Sequence, residues 1–374
     1  MLFFHRLVAI LLFACSALLG IAQGNLAPKY SNEFLAIGVG ARGLGLSNAQ
    51  VASTHDVTSG YWNPSGLAFQ THKNEVSIMH SEYFAGIAKY DYAGVSRQID
   101  SSSCAAFSVI RFGVDDIPNT TELIDAGGNI DYSRITTFSA ADYAFVFSYG
   151  KRAAKIQDWV NKKWGMTNTS AQEGLSWGVN AKLIYRHIGS FAKAWGFGID
   201  GGLQYRKGAW NAGLMARDIT TTFNAWSYNL SDEVKDVFAA TGNEIPVNGL
   251  ELTLPRLTLG LARSFAWKQW GASIESNATV TTDGQRNVLI SSAALNIDPA
   301  IGAEVDYKKQ IFFRAGLGNF QRITEFDRSQ SMTFQPNIGL GLRIKRLYID
   351  YALSDIGNVS DVLYSNVFSL RLTW

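Results

Sequence analysis

The chain has 374 residues and a nearly balanced charge, with 33 lysine and arginine residues against 31 aspartate and glutamate residues. This balance lacks the basic excess typical of nucleic-acid binding, so we expect no nucleic-acid partner. Hydrophobic residues make up 47% of the chain and aromatic residues 13%. After the N-terminus, however, no apolar run reaches the roughly 18 residues of a transmembrane helix.

Residues 1–23 have the organisation of a secretory signal peptide. His5 and Arg6 form a short basic region, residues 7–21 are apolar, and cleavage is expected at Ala22 or Gln23. A membrane anchor is the alternative, but the apolar run is shorter than the roughly 20 residues that cross a bilayer. Removal of the signal would leave Cys104 as the single cysteine, which excludes an intrachain disulfide and a cysteine-based metal site.

Residues 24–72 precede the first predicted strand. They contain Gly38, Gly40 and Gly43 in the spacing of a G-x-G-x-x-G motif. A dinucleotide site needs this motif between the strand and the helix of a βαβ unit, and no alternation of strands and helices follows. We therefore interpret these glycines as positions of close packing and expect no cofactor.

From residue 73 onwards, apolar and polar residues alternate with the two-residue period of β-strands; Leu203 and Tyr205, for example, alternate with Gln204 and Arg206. Such an apolar chain without transmembrane helices can enter a bilayer only as a closed barrel. A soluble β-sandwich or barrel with its apolar face turned inward is the alternative. We predict fourteen strands, at residues 74–83, 86–98, 103–112, 136–150, 175–188, 193–207, 209–219, 255–266, 269–281, 287–308, 311–320, 333–344, 346–354 and 364–374.

The longest of these predicted strands, 287–308, could also be two strands separated at Pro299. Single-chain bacterial barrels have even strand numbers, which favours one strand bent at Asp298 and Pro299. Proline is tolerated at a bulge or at an edge of a ladder.

The predicted connections fall into two classes by length. In outer-membrane barrels the periplasmic turns are short and the extracellular loops are longer. We therefore expect the short connections at Gly208, 266–268, Lys309 and 345–346 on the periplasmic side. The long connections 113–135, 220–254, 321–332 and 355–363 are expected on the outside.

One segment, residues 151–164, interrupts the strand pattern. Ile156, Trp159 and Val160 recur at helical spacing among basic residues, which predicts a short amphipathic helix. We expect residues 151–174 to form a periplasmic helical insertion. It would rest on lipid head groups or dock a periplasmic partner.

The C-terminal strand has the clearest alternation in the chain. Phe368, Leu370, Leu372 and the terminal Trp374 alternate with polar residues. A final strand that ends on an aromatic residue is typical of outer-membrane barrels, whose apolar face meets lipid and whose polar face meets the lumen. The sequence therefore predicts an all-β outer-membrane barrel located in the cell outer membrane.

The sequence shows no catalytic constellation. The five histidines, at positions 5, 55, 72, 80 and 187, lack the spacing of metal ligands. His80, Ser81 and Glu82 cannot form a catalytic triad, because neighbouring residues of a strand point to opposite faces. We therefore expect no catalytic site, no metal and no enzymatic activity.

Residues 32–69 carry motifs that resemble the N-terminal signature of the PorV/PorQ family, within the wider group of FadL-like barrels. The matching pieces are FLxIGxGAR at 34–42, AS at 52–53 followed by Asp56, and WNPxGLA at 62–68. Ser65 and the piece GLS at 45–47 depart from the usual pattern. Weaker matches continue along the chain, at 178–182, 200–205, 254–255, 260–262 and 368–370.

The resemblance implies a barrel of fourteen strands over residues 73–374, with residues 24–72 folded into its lumen as a hatch. In this interpretation Asn63 and Pro64 fix a turn of the hatch, since proline sets its own φ and biases the preceding residue away from helix. Asp56 would cap or anchor the hatch. Gly66 belongs to the same structural motif.

PorV-like proteins belong to the type IX secretion system of the Bacteroidota. They bind cargo proteins with C-terminal signal domains and carry them from the translocon to the surface attachment machinery. The resemblance thus implies secreted cargo, the translocon, the attachment complex and outer-membrane lipids as partners. Phe223, Trp226 and Tyr228, in the longest predicted outer loop, are candidate cargo-binding anchors, because exposed aromatic residues on a loop call for an explanation.

FadL-like relatives pass hydrophobic small molecules across the outer membrane, and this is the alternative function. It predicts an apolar pocket between hatch and wall near Phe34, Leu35, Ile37 and Leu44. It also predicts a gap in the wall for lateral exit. Both functions share one fold, so the fold alone does not decide between them.

Overall fold

A computed structural model of the chain describes residues 31–124, 127–154, 172–324, 328–354 and 365–374. Within these residues, seventeen β-strands form one antiparallel sheet that closes on itself. The closed wall has fourteen strands, because two wall strands are each split into two pieces and one short strand lies outside the wall. The predicted fourteen-stranded barrel is confirmed.

The first six wall strands are continuous. Each follows the alternating pattern in the sequence and pairs with the next in antiparallel register. Their bounds are β1 Asn74–Tyr83, β2 Ala88–Asp100, β3 Ser103–Asn119, β4 Thr136–Arg152, β5 Gly174–Ile188 and β6 Ala192–Lys207.

The seventh and eighth wall strands are interrupted at the same level. The seventh consists of β7 (Trp210–Arg217) and β8 (Thr222–Tyr228), and the eighth of β9 (Gly249–Thr253) and β10 (Arg256–Trp267). Between β7 and β8, Asp218 and Thr221 have φ values of 57° and 59°, outside the β region. Both pieces nevertheless pair with β6, so the wall stays continuous.

The remaining strands complete and close the barrel. They are β11 Trp270–Thr281, β12 Ile290–Ser291, β13 Asn296–Tyr307, β14 Ile311–Thr324, β15 Gln330–Ile344, β16 Leu347–Ser354 and β17 Ser365–Thr373. The short β12 pairs only with the start of β13. β17 pairs with β1 from Glu75 opposite Thr373 to Glu82 opposite Asn366.

The N-terminal end of β1 and the C-terminus of the chain lie at the same end of the barrel. The Asn74 amide N–H donates to the Trp374 carbonyl at 2.9 Å. We call this the terminal end and the opposite end the far end. Bacterial barrels with an even number of strands place both termini in the periplasm, so the far end corresponds to the cell exterior.

Alternate residues of the strands separate an apolar outer face from an inner face that is polar over most of the wall. On β17, Phe368, Leu370 and Leu372 point outward with exposed fractions of 58%, 42% and 43%, whereas Val367 and Ser369 point inward and are buried. The apolar residues predicted to meet lipid therefore do lie on the outside. The inner face carries many buried polar and charged side chains.

The helices are short and lie outside the wall ladder. α1 (Ala41–Gly45), α2 (Ser59–Trp62) and two 3-10 helices, Glu33–Leu35 and Pro64–Phe69, precede β1. α3 (Asp232–Ala240) lies in the far-end loop between β8 and β9. Among the residues that the structure describes, no helix is long and apolar enough to span a membrane.

Several predicted boundaries are wrong, among them the outer loop predicted at 321–332, since β14 runs to Thr324 and β15 begins at Gln330. β3 continues to Asn119, so the loop predicted at 113–135 begins later, and β8 and β9 lie within the predicted outer loop 220–254. The wall strand predicted at 287–308 begins only at Asn296. Pro299 lies inside β13 opposite Ala278, and it is tolerated because pairing with β14 begins only at Ile301.

Some predictions fall on residues that the structure does not describe. The signal peptide, residues 1–23, lies outside the described residues, as does the start of the predicted hatch. The same holds for most of the predicted helix 151–164, since β4 runs to Arg152 and residues 155–171 are not described. These remain predictions.

Candidate functional site in the barrel lumen

Residues 31–72, which we call the luminal segment, lead into β1, and nearly all of residues 31–70 are buried inside the barrel. Hydrogen bonds tie the segment to strands on opposite sides of the wall. They join Ala41 N to Ser369 Oγ on β17 (3.0 Å), Ala52 N to Glu275 Oε1 on β11 (2.7 Å), Asn180 Nδ2 on β5 to the Gly60 carbonyl (2.8 Å) and Asn337 Nδ2 on β15 to Ser47 Oγ (2.6 Å). The segment is therefore surrounded by the wall.

Glycines on the inner face of the wall let the luminal segment approach the strands closely. A Cβ atom at Gly178 would overlap the backbone of Pro64 and Ser65, and one at Gly302 would come within 2.6 Å of the Leu46 carbonyl oxygen. We call the inward-facing glycines that lie against the segment the luminal glycines: Gly150, Gly178, Gly202, Gly213, Gly260, Gly302, Gly316 and Gly339. They leave the segment in direct backbone contact with the wall.

The predicted structural residues Asn63 and Pro64 lie against the luminal glycines, and Gly66 follows in the same 3-10 helix. Asn63 Oδ1 accepts a hydrogen bond from the Ser65 amide at 3.2 Å, and Asn63 Nδ2 donates to the Leu203 carbonyl of β6 at 3.1 Å. Pro64 opens a 3-10 helix, where its missing N–H leaves no unmet donor. Gly66 packs against the backbone of a neighbouring turn, with no room for a Cβ atom.

Asp56 connects the luminal segment to the strands at the closure of the barrel. Its Oδ1 accepts hydrogen bonds from Thr58 N at 2.9 Å and Thr58 Oγ1 at 2.6 Å, and its Oδ2 lies 3.4 Å from an Arg371 nitrogen on β17. The Val57 amide donates to Glu75 Oε2 on β1 at 3.0 Å. Burial would raise the Asp56 pKa, but Arg371 and Thr58 hold the pKa of Asp56 at about 2.

Two further clusters of charged side chains lie on the inner face of the wall. In the first, Glu304 on β13 bonds both Arg42 of the luminal segment (3.0 Å) and Arg314 on β14 (2.6 Å), and Arg314 continues to Asp350 on β16 (2.6 Å). Paired charges of this kind avoid the large penalty of an isolated buried charge. Arg42 is thus bonded to β13, and Glu304 and Arg314 extend the network to β14 and β16.

The second cluster lies at the break between β7 and β8. Lys182 Nζ lies 2.7 Å from Asp200 and 2.5 Å from Asp218, and Thr222 Oγ1 donates to Asp218 at 2.6 Å. These contacts hold the two pieces of the seventh strand against β5 and β6. They stabilise the break as a fixed part of the wall.

On the side of β1 to β5 the luminal segment also contacts the wall through apolar side chains. Phe34, Leu35 and Leu44 are buried there, and Ile37 packs against the same cluster. The apolar pocket expected near these residues stays a prediction. The wall contributes Met79, Tyr83, Tyr90, Tyr92, Ile110, Ala144, Val146 and Ile184. We call this set the apolar cluster.

Two tyrosine hydroxyls are buried in the apolar cluster without a partner. Tyr83 Oη and Tyr90 Oη form no hydrogen bond with any described residue, whereas Tyr92 Oη donates to the Val57 carbonyl at 3.4 Å. A buried polar group without a partner costs about 1–3 kcal/mol. The cluster therefore contains two unmet hydrogen-bonding groups in otherwise apolar surroundings.

The wall is irregular next to the apolar cluster. Phe112 and Val114 of β3 pack against the cluster, and the ladder between β3 and β4 loses its register between Val114 and Ile117. Asp116 there has a φ of 56°. A bulge of this kind bends the strand and leaves residues unpaired.

The three candidate cargo-binding residues lie on β8 and do not share a face. Phe223 points outward and is 41% exposed, whereas Trp226 and Tyr228 lie on the opposite face and stack with ring centroids 6.0 Å apart. Trp226 Nε1 donates to Glu251 at 2.7 Å, and the Arg186 guanidinium lies 4.9 Å from the Trp226 ring centre. Their predicted position on a loop is wrong, because β8 pairs with β6 and β9.

Within the described residues, no cluster of histidine, cysteine, aspartate and glutamate could hold a metal ion. Cys104 is a buried free thiol.

Sequence reasoning missed the luminal glycines and the tyrosines Tyr83 and Tyr90. Their position in the two-residue period of the strands was the available signal. It shows that they point inward only when the strand register is known.

No protein-family model matches the chain, and no curated protein matches it. Solved structures do resemble it. The Ralstonia pickettii toluene transporter TbuX aligns over 90% of this chain and 98% of its own, with 12% identity and a TM-score of 0.51. The Pseudomonas putida toluene transporter TodX aligns over 90% of this chain and 99% of its own, with 14% identity and a TM-score of 0.53. The CymD monoaromatic hydrocarbon channel aligns over 90% of this chain and 98% of its own, with 12% identity and a TM-score of 0.52.

The chain has a FadL-like barrel fold. A homologue of FadL from Pseudomonas aeruginosa also aligns over 90% of this chain, with a TM-score of 0.51. These neighbours are outer-membrane barrels, and together with the closed wall they place this protein in the outer membrane. TbuX is named as a transporter and CymD as a channel.

Proposed function

We propose that the protein passes hydrophobic small molecules across the outer membrane and has no enzymatic activity. The observation that carries this proposal is the apolar cluster between the luminal segment and β1 to β5, bordered by the bulge after Val114. Structural neighbours named as toluene transporters and as a monoaromatic hydrocarbon channel support it.

The luminal segment would act as a hatch that opens on one side. Its polar contacts with β11, β13 and β15 fix one side. On the other side Val57 and Gly60 also bond the wall at β1 and β5, but between these bonds the apolar cluster holds the segment by packing. Packing contacts between apolar groups are non-directional, so a hydrophobic molecule can replace them at little loss. A molecule with one polar group could also bond the hydroxyl of Tyr83 or Tyr90.

Val114→Trp tests this route. The larger side chain would fill space at the border of the cluster, and we expect it to reduce uptake of a labelled hydrocarbon or fatty acid severalfold in cells without other FadL-like proteins. Val95→Trp on β2 is the matched control, because Val95 points outward and is 50% exposed. Heat-modifiable gel mobility would show that both variants fold.

Two results would reject the transport proposal. One is equal uptake by cells with and without the wild-type protein. The other is equal uptake by both folded tryptophan variants, since the apolar cluster would then lie off the route.

A second candidate function is cargo handling in type IX secretion, which rests on the resemblance of residues 32–69 to the PorV/PorQ signature. The stacked pair Trp226 and Tyr228, half-buried on the inner face of β8 near the far end, favours it, because aromatic side chains are enriched among the residues that dominate protein–protein binding. The partners would be cargo with C-terminal signal domains, the translocon and the attachment complex.

This candidate predicts that Trp226→Ala reduces surface display of cargo at least tenfold, whereas Phe223→Ala on the outward face leaves it unchanged. Gene deletion gives the reference for complete loss, and surface display would be measured by labelling of intact cells. Normal cargo display after deletion, in a strain without a paralogue, would exclude a role in secretion.

A further inference from the structure

The outward face of β4, β5, β6 and β8 changes in character towards the far end. Cross-strand pairing aligns Phe145, Leu183, Phe197 and Phe223 in one apolar row. One step closer to the far end, Tyr143, Tyr185 and Trp195 form an aromatic row, in which the Tyr185 and Trp195 rings are 4.6 Å apart. This order matches a wall that passes from hydrocarbon to the membrane interface.

A polar row follows at the next step. His187, Lys193 and Ser227 are neighbours across β5, β6 and β8, and Ser190 lies in the turn that joins β5 and β6. The His187 ring stacks on Tyr143 at 6.2 Å with an interplanar angle of 20°. Ammonium, hydroxyl and imidazole groups therefore stand directly above an aromatic surface.

Lys193 is exposed, and no described carboxylate forms an ion pair with it. The outward-facing acid on the nearby part of β3, Asp115, is neutralised by Lys89 at 3.1 Å and Arg111 at 3.6 Å. The polar row thus carries an uncompensated positive charge. Such a position attracts an anionic group.

Members of these three rows, with Phe145 from the apolar row, border a groove of about 790 Å³ on the outside of the barrel. Phe145 and Tyr143 lie on one side of it, and Lys193, Ser227 and Asn229 on the other. The groove is open to the surface and extends from the apolar row to the polar row. An amphiphile with one anionic head group fits both its shape and its gradient of polarity.

We propose that this groove binds a phosphorylated glycolipid of the outer leaflet, of the lipid A type. The phosphate would accept hydrogen bonds from Lys193 and from the Ser190 and Ser227 hydroxyls, since ionised partners give the strongest hydrogen bonds. The sugar would lie on the Tyr143 and His187 rings, and an acyl chain would follow the apolar row. The flat aromatic surface favours a sugar over the glycerol of a phospholipid.

The test is native mass spectrometry of the full-length barrel in detergent with added diphosphoryl lipid A, dephosphorylated lipid A or phosphatidylglycerol. We expect binding of diphosphoryl lipid A and at least fivefold weaker binding of the other two. Lys193→Glu should reduce lipid A binding at least fivefold, and Lys193→Gln should do so to a smaller extent.

Lys207→Glu is the matched control, because Lys207 lies on the same face of β6 at the terminal end. It should leave binding unchanged, and heat-modifiable mobility would show that all variants fold. Equal binding of phosphorylated and dephosphorylated lipid A would overturn the proposal. So would lipid A binding that is equally strong in the Lys193 variants, or binding of phosphatidylglycerol as strong as that of lipid A.

Discussion

At the scale of single residues, Asp56 couples the luminal segment to the wall. The pKa of its carboxyl is about 2 in the folded protein, against an ordinary value of 3.8. Because the folded pKa is the lower one, the carboxylate stabilises the fold fully above its ordinary pKa. That contribution is lost as the pH falls from about 3.8 towards 2.

We predict that Asp56→Asn lowers the free energy of unfolding at pH 7 by roughly 2 kcal/mol. The variant should also lose less stability than the wild type between pH 4 and pH 2, since the titrating group is gone. Urea unfolding of the folded barrel in lipid vesicles, followed by tryptophan fluorescence at several pH values, would measure both effects.

Asp131 offers a matched control for this prediction. It accepts the same pair of hydrogen bonds, from Ser133 N at 3.0 Å and Ser133 Oγ at 2.6 Å, but it lies in an exposed loop. Asp131→Asn should change the stability little. An equal loss in both variants would show that the local turn, and not the contact with Arg371, accounts for the effect.

At the scale of strands, we predict that substitution of a luminal glycine also lowers the stability of the barrel. Gly178→Ala would place a Cβ atom against the Pro64 backbone, and overpacking of a close contact typically costs about 1–3 kcal/mol. We expect a lower temperature for loss of the heat-resistant gel form.

The control for that substitution is Gly201→Ala on β6. Gly201 lies on the opposite face from the luminal glycine Gly202, and a Cβ atom there would meet only the tip of the Ile219 side chain at 3.0 Å. Its stability should stay within about 0.5 kcal/mol of the wild type. If both alanine variants lost the same stability, the loss would come from general strand propensity and not from contact with the luminal segment.

Strands such as β5, β6 and β17 could be predicted from the sequence because their alternation is unbroken over most of their length. β8 and β9 could not, since residues 218–221 and 254–255 interrupt the period and separate each short piece from its parent strand. The luminal glycines could not be predicted from the sequence either. A glycine has no side chain that indicates a face, so its role appears only once the register is known.

The candidate site was predictable in part for a related reason. The motif around Asn63 and Pro64 marked the luminal segment as unusual, and Phe34, Leu35 and Leu44 were predicted as neighbours. Tyr83 and Tyr90 were not, because aromatic residues near strand ends are typical of the outer interfacial girdles. Only the pairing of β1 with β2 shows that both point inward.

At the scale of the whole molecule, the luminal segment fills a barrel whose inner face is polar outside the apolar cluster. We predict that deletion of residues 31–70 converts the protein into an open pore with high ion conductance in planar bilayers, whereas the wild type conducts little. Water and ions would then occupy the space next to the luminal glycines and the charged clusters.

A folded deletion variant with wild-type conductance would contradict this prediction. If the deletion variant fails to fold, Gly43→Trp offers a second test. A Cβ atom at Gly43 would already lie 2.6 Å from the Trp62 ring, so the larger side chain should displace part of the segment and raise the conductance to a smaller extent.

The direct backbone contact at the luminal glycines also bears on the order of assembly. A segment that fits this closely cannot thread into a barrel that has already closed. The seam between β1 and β17 joins the first and the last strand of the chain. We therefore expect this seam to form last, around a luminal segment that is already in place. The N-terminal part of an exported chain reaches the periplasm first, so it is present when the strands begin to pair.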